Sequence, residues 1–353
     1  MIPQTDQTGA QEPVCPPAHS IWPLATKRSE TYIPPEPSQP THALTLSLER
    51  LESVAPTATA EKERREIQNL AIQVLCDYDP GYTPAEIVRR WAHRQLVRAG
   101  QYRPPFDLLP IATGMGATVE RLSLESNGRV LINGDRAIIL LNASAHPEQQ
   151  RCTLAHELTH IFFRRVAEHV LADRPDSLRE VNEWGNSERQ EWLCDLGAAE
   201  LLAPEPFFRS AWKKTRARGM VLGERLAEQF QCSLTFALRR LVALGYRSIV
   251  TEWSLRDRAG STIKLRTERS CSSLRRKIYI PVHKPANHGP IVDALDTSEA
   301  LRTRMVVEVR GLPWGAYTVE AKRVAEGRVI STIDLESFEL VKPAHSYLVL
   351  NLL

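Results

Sequence analysis

His156-Glu157-Leu158-Thr159-His160 sets two imidazoles four residues apart. On an α-helix that spacing puts both rings on one face, a turn apart, where they can share a metal ion. Glu157 projects beside that face, so its carboxylate can take a proton from a metal-bound water without being a ligand. Zinc with an open fourth position lowers the pKa of its water to about 7, and the expected chemistry is attack on a peptide carbonyl. The chain holds ten histidines, so the competing explanation is a chance pentad whose rings merely pack or face solvent. A third ligand separates the two, because two histidines alone leave a catalytic zinc site incomplete.

Glu191-Trp192-Leu193-Cys194-Asp195 offers one, at the start of the next expected helix. Glu191 and Asp195 are again four apart, so one carboxylate can bind metal while the other accepts a hydrogen bond from a ligand imidazole. Glu188 and Glu183 are rival ligands by spacing, and Cys194 is a further alternative whose apolar neighbours favour packing.

The first of these helices is expected to start near Pro147 and to bury Leu154, Leu158, Ile161 and Phe162 as one stripe, which leaves its other faces for chemistry. Ahead of it, Ala117–Leu122 and 129–132 read as strands, Asn133-Gly134 as a hairpin turn and Arg136–Leu141 as the returning strand, so a small antiparallel sheet is expected. From Glu61 to Ala99 the pattern is helical, with a capping box at Thr83-Pro84-Ala85-Glu86. After the glutamate helix, helical segments are expected over Pro206–Ala217, Gly223–Phe230 and onward from Ser233. Strands follow at Ser248–Leu255, Thr262–Thr267, Lys277–Val282, Arg304–Val309, Tyr317–Val324, Arg328–Leu335 and Tyr347–Leu352.

A length of 353 residues suggests two or three domains. The prolines crowd residues 1–58, which read as a flexible arm. No run approaches the ~18 apolar residues of a membrane span, and the start lacks a secretory pattern, so a cytoplasmic protein without a membrane partner is expected. Six scattered cysteines with no Cys-x-x-Cys pair read as reduced thiols. Net charge is +3, made of +5 from Arg247 onward (17 Lys/Arg against 12 Asp/Glu) and −2 before it (28 against 30). Such a surplus reads first as a solvated face.

The two site segments, Arg151-Cys152-Thr153-Leu154-Ala155-His156-Glu157-Leu158-Thr159-His160 and Glu191-Trp192-Leu193-Cys194-Asp195-Leu196-Gly197-Ala198-Ala199-Glu200-Leu201-Leu202-Ala203-Pro204, resemble the ImmA/IrrE metallopeptidase family. That family pairs a His-Glu-x-x-His helix with a glutamate helix ending in Ala-Ala-x-Leu-Leu-x-Pro. The resemblance spans about residues 62–246. It implies His156, His160 and Glu191 as zinc ligands, with manganese as an alternative ion, and Glu157 as general base. It also implies a protein substrate, a DNA-binding helix-turn-helix repressor cut in a stress or mobile-element response, and a C-terminal sensor resembling a GAF domain. Two departures stand out: Thr159 occupies the place of a glycine common before the second histidine, and the 31-residue step from His160 to Glu191 includes a polar loop, 173–187.

Leu226-Ala227-Glu228-Gln229-Phe230, a break at Gln231-Cys232, and a helix capped by Ser233 that carries Arg239 and Arg240 resemble a helix-turn-helix. Lys213, Lys214, Arg216 and Arg218 lie just upstream, so DNA is a candidate partner, set against plain packing of the two helices over the substrate groove. Nine Lys/Arg between Arg256 and Lys284 read as a charged surface.

The fold expected is therefore α+β: a flexible arm over 1–58, a mainly helical zincin-like peptidase core over 59–204, helix-turn-helix-like helices over 205–246, and a separate β-rich or α+β domain over 247–353. The alternative to a zinc endopeptidase is a non-enzymatic, DNA-binding regulator with a structural metal site. Such a site is more typically closed by four protein ligands and has no use for a base beside it.

Overall fold

A computed structural model describes residues 70–133, 135–173, 188–259, 262–272, 280, 285–286, 289–309, 312–340 and 349–351. The arm over 1–58, Gly134, most of the polar loop with Glu183, most of the expected strand Lys277–Val282, Tyr347, and the side chains of the basic run beyond Arg256 lie outside the described residues.

Helix α1 (Leu70–Tyr78) buries Ile72, Leu75 and Cys76, and α2 (Pro84–Arg98) begins at the expected capping box. There Glu86 N–H donates to Thr83 Oγ1 at 3.3 Å and Thr83 N–H to Glu86 Oε2 at 2.8 Å, which satisfies two donors left open at the helix start. After the short α3 (Leu109–Gly114) come β1 (Ala117–Leu122), β2 (Gly128–Asn133) and β3 (Arg136–Asn142).

This sheet is mixed, where a wholly antiparallel one was expected. Its order is β1-β3-β2, with β2 antiparallel and β1 parallel to β3. β3 is the central strand, with Ala137, Ile139 and Leu141 buried on one face, Leu140 on the other, and both backbone edges paired. The hairpin supplies β2 on one edge, which leaves β1 to close the other from the same end as β3.

Helix α4 (Pro147–Val170) lies against this sheet and buries the expected stripe of Leu154, Leu158, Ile161 and Phe162. Helices α5 (Glu188–Leu202), α6 (Glu205–Lys214), α7 (Gly219–Phe230) and α8 (Leu234–Ala243) follow. Between α7 and α8, Gln231 sits in the left-handed region (φ 49°), and its carbonyl accepts a hydrogen bond from Arg151 Nε at 3.1 Å. Arg151 also donates to the Phe106 carbonyl at 2.9 Å, so one side chain of α4 holds both the helix-helix turn and the chain ahead of α3.

The second sheet has the order β10-β7-β8-β9-β4-β5-β6. Its strands are β4 (Ser248–Ala259), β5 (Thr262–Ser272), β6 (Pro285–Ala286), β7 (Leu301–Glu308), β8 (Gly315–Ala325), β9 (Arg328–Glu339) and β10 (Val349–Asn351). One face carries Met305, Tyr317, Val319 and Ala321 against α9 (Pro290–Asp293) and the 3-10 turn Ala294–Asp296, neither expected from sequence. The other face meets the helices, where Val250 and Ile330 join the apolar cluster built by α1 to α8.

Buried Glu320 of β8 accepts Met220 N–H at 2.7 Å and so caps the start of α7. Gly219 makes this approach possible: its φ is +57°, and a Cβ there would fall 1.8 Å from Glu320 Oε2. Lys322 of β8 also pairs with Glu224 of α7, and Arg239 of α8 lies 3.9 Å from Glu252 of β4.

A buried ionic group locks α2, α5 and α8 together. Glu200, fully buried, accepts from Arg240 Nη2 at 2.7 Å and from Glu205 N–H at 3.1 Å, and meets His93 Nε2 at 3.0 Å. Burial by itself raises a carboxyl's pKa, but the Arg240 charge and the His93 hydrogen bond outweigh it and hold Glu200 well below the usual carboxylate range. Arg240→Ala leaves that carboxylate buried and uncompensated, and urea unfolding is expected to show a loss of about 3–5 kcal/mol. The sign of the pH effect follows from the depressed pKa. The stabilisation from Glu200 is complete above its ordinary value of 4.5 and is lost as pH falls from there towards the native value. Wild type should therefore lose stability on acidification below pH 4.5 more steeply than Glu200→Gln.

Candidate metal centre

The sequence brings His156 and His160 to one face of α4, and the fold brings the start of α5 across that face. The Nε2 atoms of the two imidazoles lie 3.0 Å apart. Glu191 reaches both, with Oε2 at 3.2 Å from His156 Nε2 and Oε1 at 3.5 Å from His160 Nε2. Zinc–nitrogen and zinc–oxygen bonds of 2.0–2.2 Å at tetrahedral angles imply donor–donor edges of roughly 3.3–3.5 Å. The three contacts, 3.0, 3.2 and 3.5 Å, are close to that, with Glu191 meeting the two rings through different oxygens. Moreover, Glu191 Oε1 is buried without a hydrogen-bond partner among the described residues, a position that costs free energy in the absence of a cation. The donor set thus fits a zinc ion.

Asp195, one turn on from Glu191, places Oδ1 3.1 Å from His156 Nδ1, on the ring edge away from the triangle. A hydrogen bond from Nδ1–H to that carboxylate leaves the Nε2 lone pair free for a cation. Burial opposes a charge on His156, but the Asp195 hydrogen bond and charge prevail and raise its pKa. His160 goes the other way, to about 4, through burial and the neighbouring His156. Glu157 is buried, and burial raises its pKa; His156 opposes the shift and Glu191 adds to it.

Of the rival ligands, Glu188 is exposed and contacts neither imidazole, and Glu183 lies outside the described residues. Cys194 is different. With His156 and His160 it forms a group whose ligand atoms lie within 4.8 Å of one another, and its Sγ is 3.6 Å from His160 Nδ1. Burial, with Glu191, Glu157 and Asp195 nearby, pushes its pKa well above 9.0, so the sulfur stays a neutral thiol in the metal-free site. Among the described cysteines Cys76, Cys152, Cys194 and Cys232 are unbridged.

The residue that lets the two helices come this close was not singled out from sequence. Thr159, fully buried between the histidines, sends its hydroxyl to the Ala155 carbonyl at 3.1 Å and lies over Gly197 of α5. A Cβ on Gly197 would meet Thr159 Oγ1 at 2.5 Å and Cγ2 at 2.7 Å. The signal was present in the departure at Thr159, since a larger residue on one helix demands a smaller one on the other.

The helix-turn-helix-like pair is present, but no residue from Ser233 to Val242 is exposed. Arg240 is buried against Glu200 and the Ala203 carbonyl, and Arg239 faces Glu252. Ala237, Leu238, Arg240, Leu241 and Val242 of the second helix are spent on packing, while Ala243 at its end is exposed. No helix among the described residues is long and apolar enough to cross a membrane.

A chain built around two helical imidazoles, a carboxylate from the neighbouring helix and an adjacent buried glutamate has the outline of a metallopeptidase core. In agreement, residues 112–242 match the family Peptidase_M78, the IrrE N-terminal-like domain. This part of the chain is similar to the ImmA/IrrE family. The chain is similar to the radiation response metalloprotease IrrE of Deinococcus radiodurans, 32% identical over 194 residues, covering 49% of this chain and 56% of that protein. It is also similar to the protein of the same name from Deinococcus deserti, 33% identical over 108 residues, covering 30% of this chain and 35% of that one. The chain thus spans about half the length of the first of these relatives, and less of the second. Among solved structures, a Mycobacterium tuberculosis transcriptional regulator aligns with a TM-score of 0.45 at 12% identity, covering 74% of this chain and 93% of that one.

The crossing gives a direct test. Gly197→Ala should cost about 1–3 kcal/mol in denaturant unfolding despite alanine's better helix propensity, and should weaken zinc binding measured by chelator competition. Adding Thr159→Gly should restore both. A Gly197→Ala protein as stable and as zinc-competent as wild type would show that the crossing does not set the site.

Proposed function

We propose that this chain is a zinc-dependent endopeptidase. His156, His160 and Glu191 hold the ion, manganese being the alternative, Asp195 orients His156, and Glu157 is the general base. One observation carries the reading: the Nε2 atoms of two imidazoles on one helix lie 3.0 Å apart and the Glu191 carboxylate of the next helix lies 3.2 and 3.5 Å from them, close to the donor spacing of a tetrahedral zinc, with one carboxylate oxygen otherwise unpartnered. Zinc, when bound, supplies a Lewis acid that polarises a carbonyl and acidifies water.

The protein's own contribution is to fix that geometry and to move the proton. Glu157 sits next to a ligand on the same helix, and its burial makes its carboxylate a better proton acceptor than one in water. A proton taken at that carboxylate is then available for the leaving amine. Asp195, by accepting from Nδ1 of His156, keeps Nε2 of that ring aimed at the ion.

The substrate we infer is a DNA-binding helix-turn-helix repressor, cleaved in a stress or mobile-element response. The family and the relatives named for the radiation response support this. On the same reading, residues 59–204 form the zincin-like core, 205–246 the helices that cover it, and 247–353 a C-terminal sensor domain of GAF-like type. The rival reading, a DNA-binding regulator, has less support because the second helix of the pair is spent on packing.

Glu157→Gln should retain zinc at wild-type stoichiometry while cleavage of a co-expressed repressor falls by about 10²–10⁴-fold. Glu191→Ala should lose zinc. Unchanged cleavage by Glu157→Gln would remove the enzyme reading, and full zinc affinity in Glu191→Ala would move the third ligand elsewhere.

A further inference from the structure

Among the described residues, the one partner of His160 Nδ1 is the sulfur of Cys194, at 3.6 Å. The opposite nitrogen of that ring, Nε2, faces His156 Nε2 at 3.0 Å and Glu191 Oε1 at 3.5 Å. The two ring nitrogens point in different directions, so Cys194 and the other two donors approach His160 from separate sides. His156 shows the same arrangement: Nε2 towards the triangle and Nδ1 towards Asp195. Glu191, Cys194 and Asp195 stand at i, i+3 and i+4 on α5, one face of which thus addresses the triangle and the outer nitrogen of each ring.

We infer that Cys194 is a positioning residue: its sulfur accepts a hydrogen bond from His160 Nδ1–H, holds that ring's orientation and tautomer, and so keeps Nε2 free for the ion. This rests on the zinc reading of the site. Sulfur is a weak acceptor, but Cys194 is fully buried, so no bulk water competes for the imidazole proton there.

The contrary assignment makes Cys194 a ligand. A thiolate and an imidazole on one zinc would also stand about 3.6 Å apart, given a Zn–S bond near 2.3 Å. That assignment needs His160 to present Nδ1 to the ion, which abandons its short contacts with His156 and Glu191. The sulfur approaches His160 from its Nδ1 side, whereas the Glu191 carboxylate lies 3.2 and 3.5 Å from the Nε2 atoms of both rings, the pair that face each other at 3.0 Å.

The test uses the full chain and two readouts that do not depend on catalysis. Zinc affinity, by competition with a chromophoric chelator, should fall about tenfold in Cys194→Ala and return to within about threefold of wild type in Cys194→Ser, which restores an acceptor. Both variants remove the sulfur from its packed site, so the difference between them reads the hydrogen bond and not the packing. Thermal melts of the metal-free proteins check that both fold. Cobalt-substituted wild type should lack the intense near-ultraviolet sulfur-to-metal charge-transfer band. Wild-type affinity in Cys194→Ala, or no recovery in Cys194→Ser, overturns the inference while Glu191→Ala still loses zinc. A charge-transfer band that vanishes in Cys194→Ala, with full affinity in Glu191→Ala, overturns the three-ligand reading along with it.

Discussion

The crossing of α4 and α5 at Thr159 and Gly197 is the constraint on which the candidate metal centre depends. The triangle is built from two side chains of one helix and one of the other, and a glutamate reaches only a few ångströms from its backbone. The two helix axes must therefore approach more closely than ordinary side chains permit, and Gly197 gives the room. Thr159 fills that room, with its buried hydroxyl satisfied by the Ala155 carbonyl. In this chain the small residue of the crossing is on α5, facing the threonine of α4.

Close packing explains how near the helices lie but not their rotation and register. Those are set nine residues along α5 from Glu191, where Glu200 is gripped by Arg240, His93 and the Glu205 N–H. Apolar residues around it, such as Leu201 and Leu202, tolerate small rotations, because dispersion contacts are non-directional. A fully buried carboxylate with several hydrogen-bond partners does not, since any rotation leaves a charge unsolvated. The apolar stripe brings α5 to the core, and Glu200 fixes which way Glu191 points.

How much of this was legible in the sequence depended on whether the signal was local. The capping box at Thr83, the stripe on α4, the i,i+4 histidines and the Glu191–Asp195 pair all act within one helix or between its neighbours in sequence, and each appears where periodicity placed it. The parallel pairing of β1 with β3 was missed because strand direction is decided by which edge of β3 remains free, a property of the whole sheet. The thiol beside His160 read as packing because an i+3 offset shows that Cys194 shares a face with Glu191, not which nitrogen it meets. Gly197 carried no helical signal beyond a weak propensity, as its role exists only against Thr159. Arg239 and Arg240 read as the basic second helix of a helix-turn-helix because their partners, Glu252 and Glu200, are distant in sequence.

Those two arginines also explain why a helix-turn-helix outline serves packing here. Adjacent residues on a helix point about 100° apart, so α8 can present Arg239 to Glu252 of the sheet and Arg240 to Glu200 of α5 at once. A recognition helix needs its polar face in a DNA groove, and on α8 Arg240 is taken up by a buried partner while Arg239, partly exposed, lies 3.9 Å from Glu252. The same side of the sheet caps α7 through Glu320 and pairs with it through Lys322, so α7 and α8 are both held by charged residues of the strands. The position of Glu191 therefore depends on a continuous frame, from the sheet through α8 to Glu200 and along α5. The short motif on α4 meets its carboxylate partner from α5 only when that frame is complete.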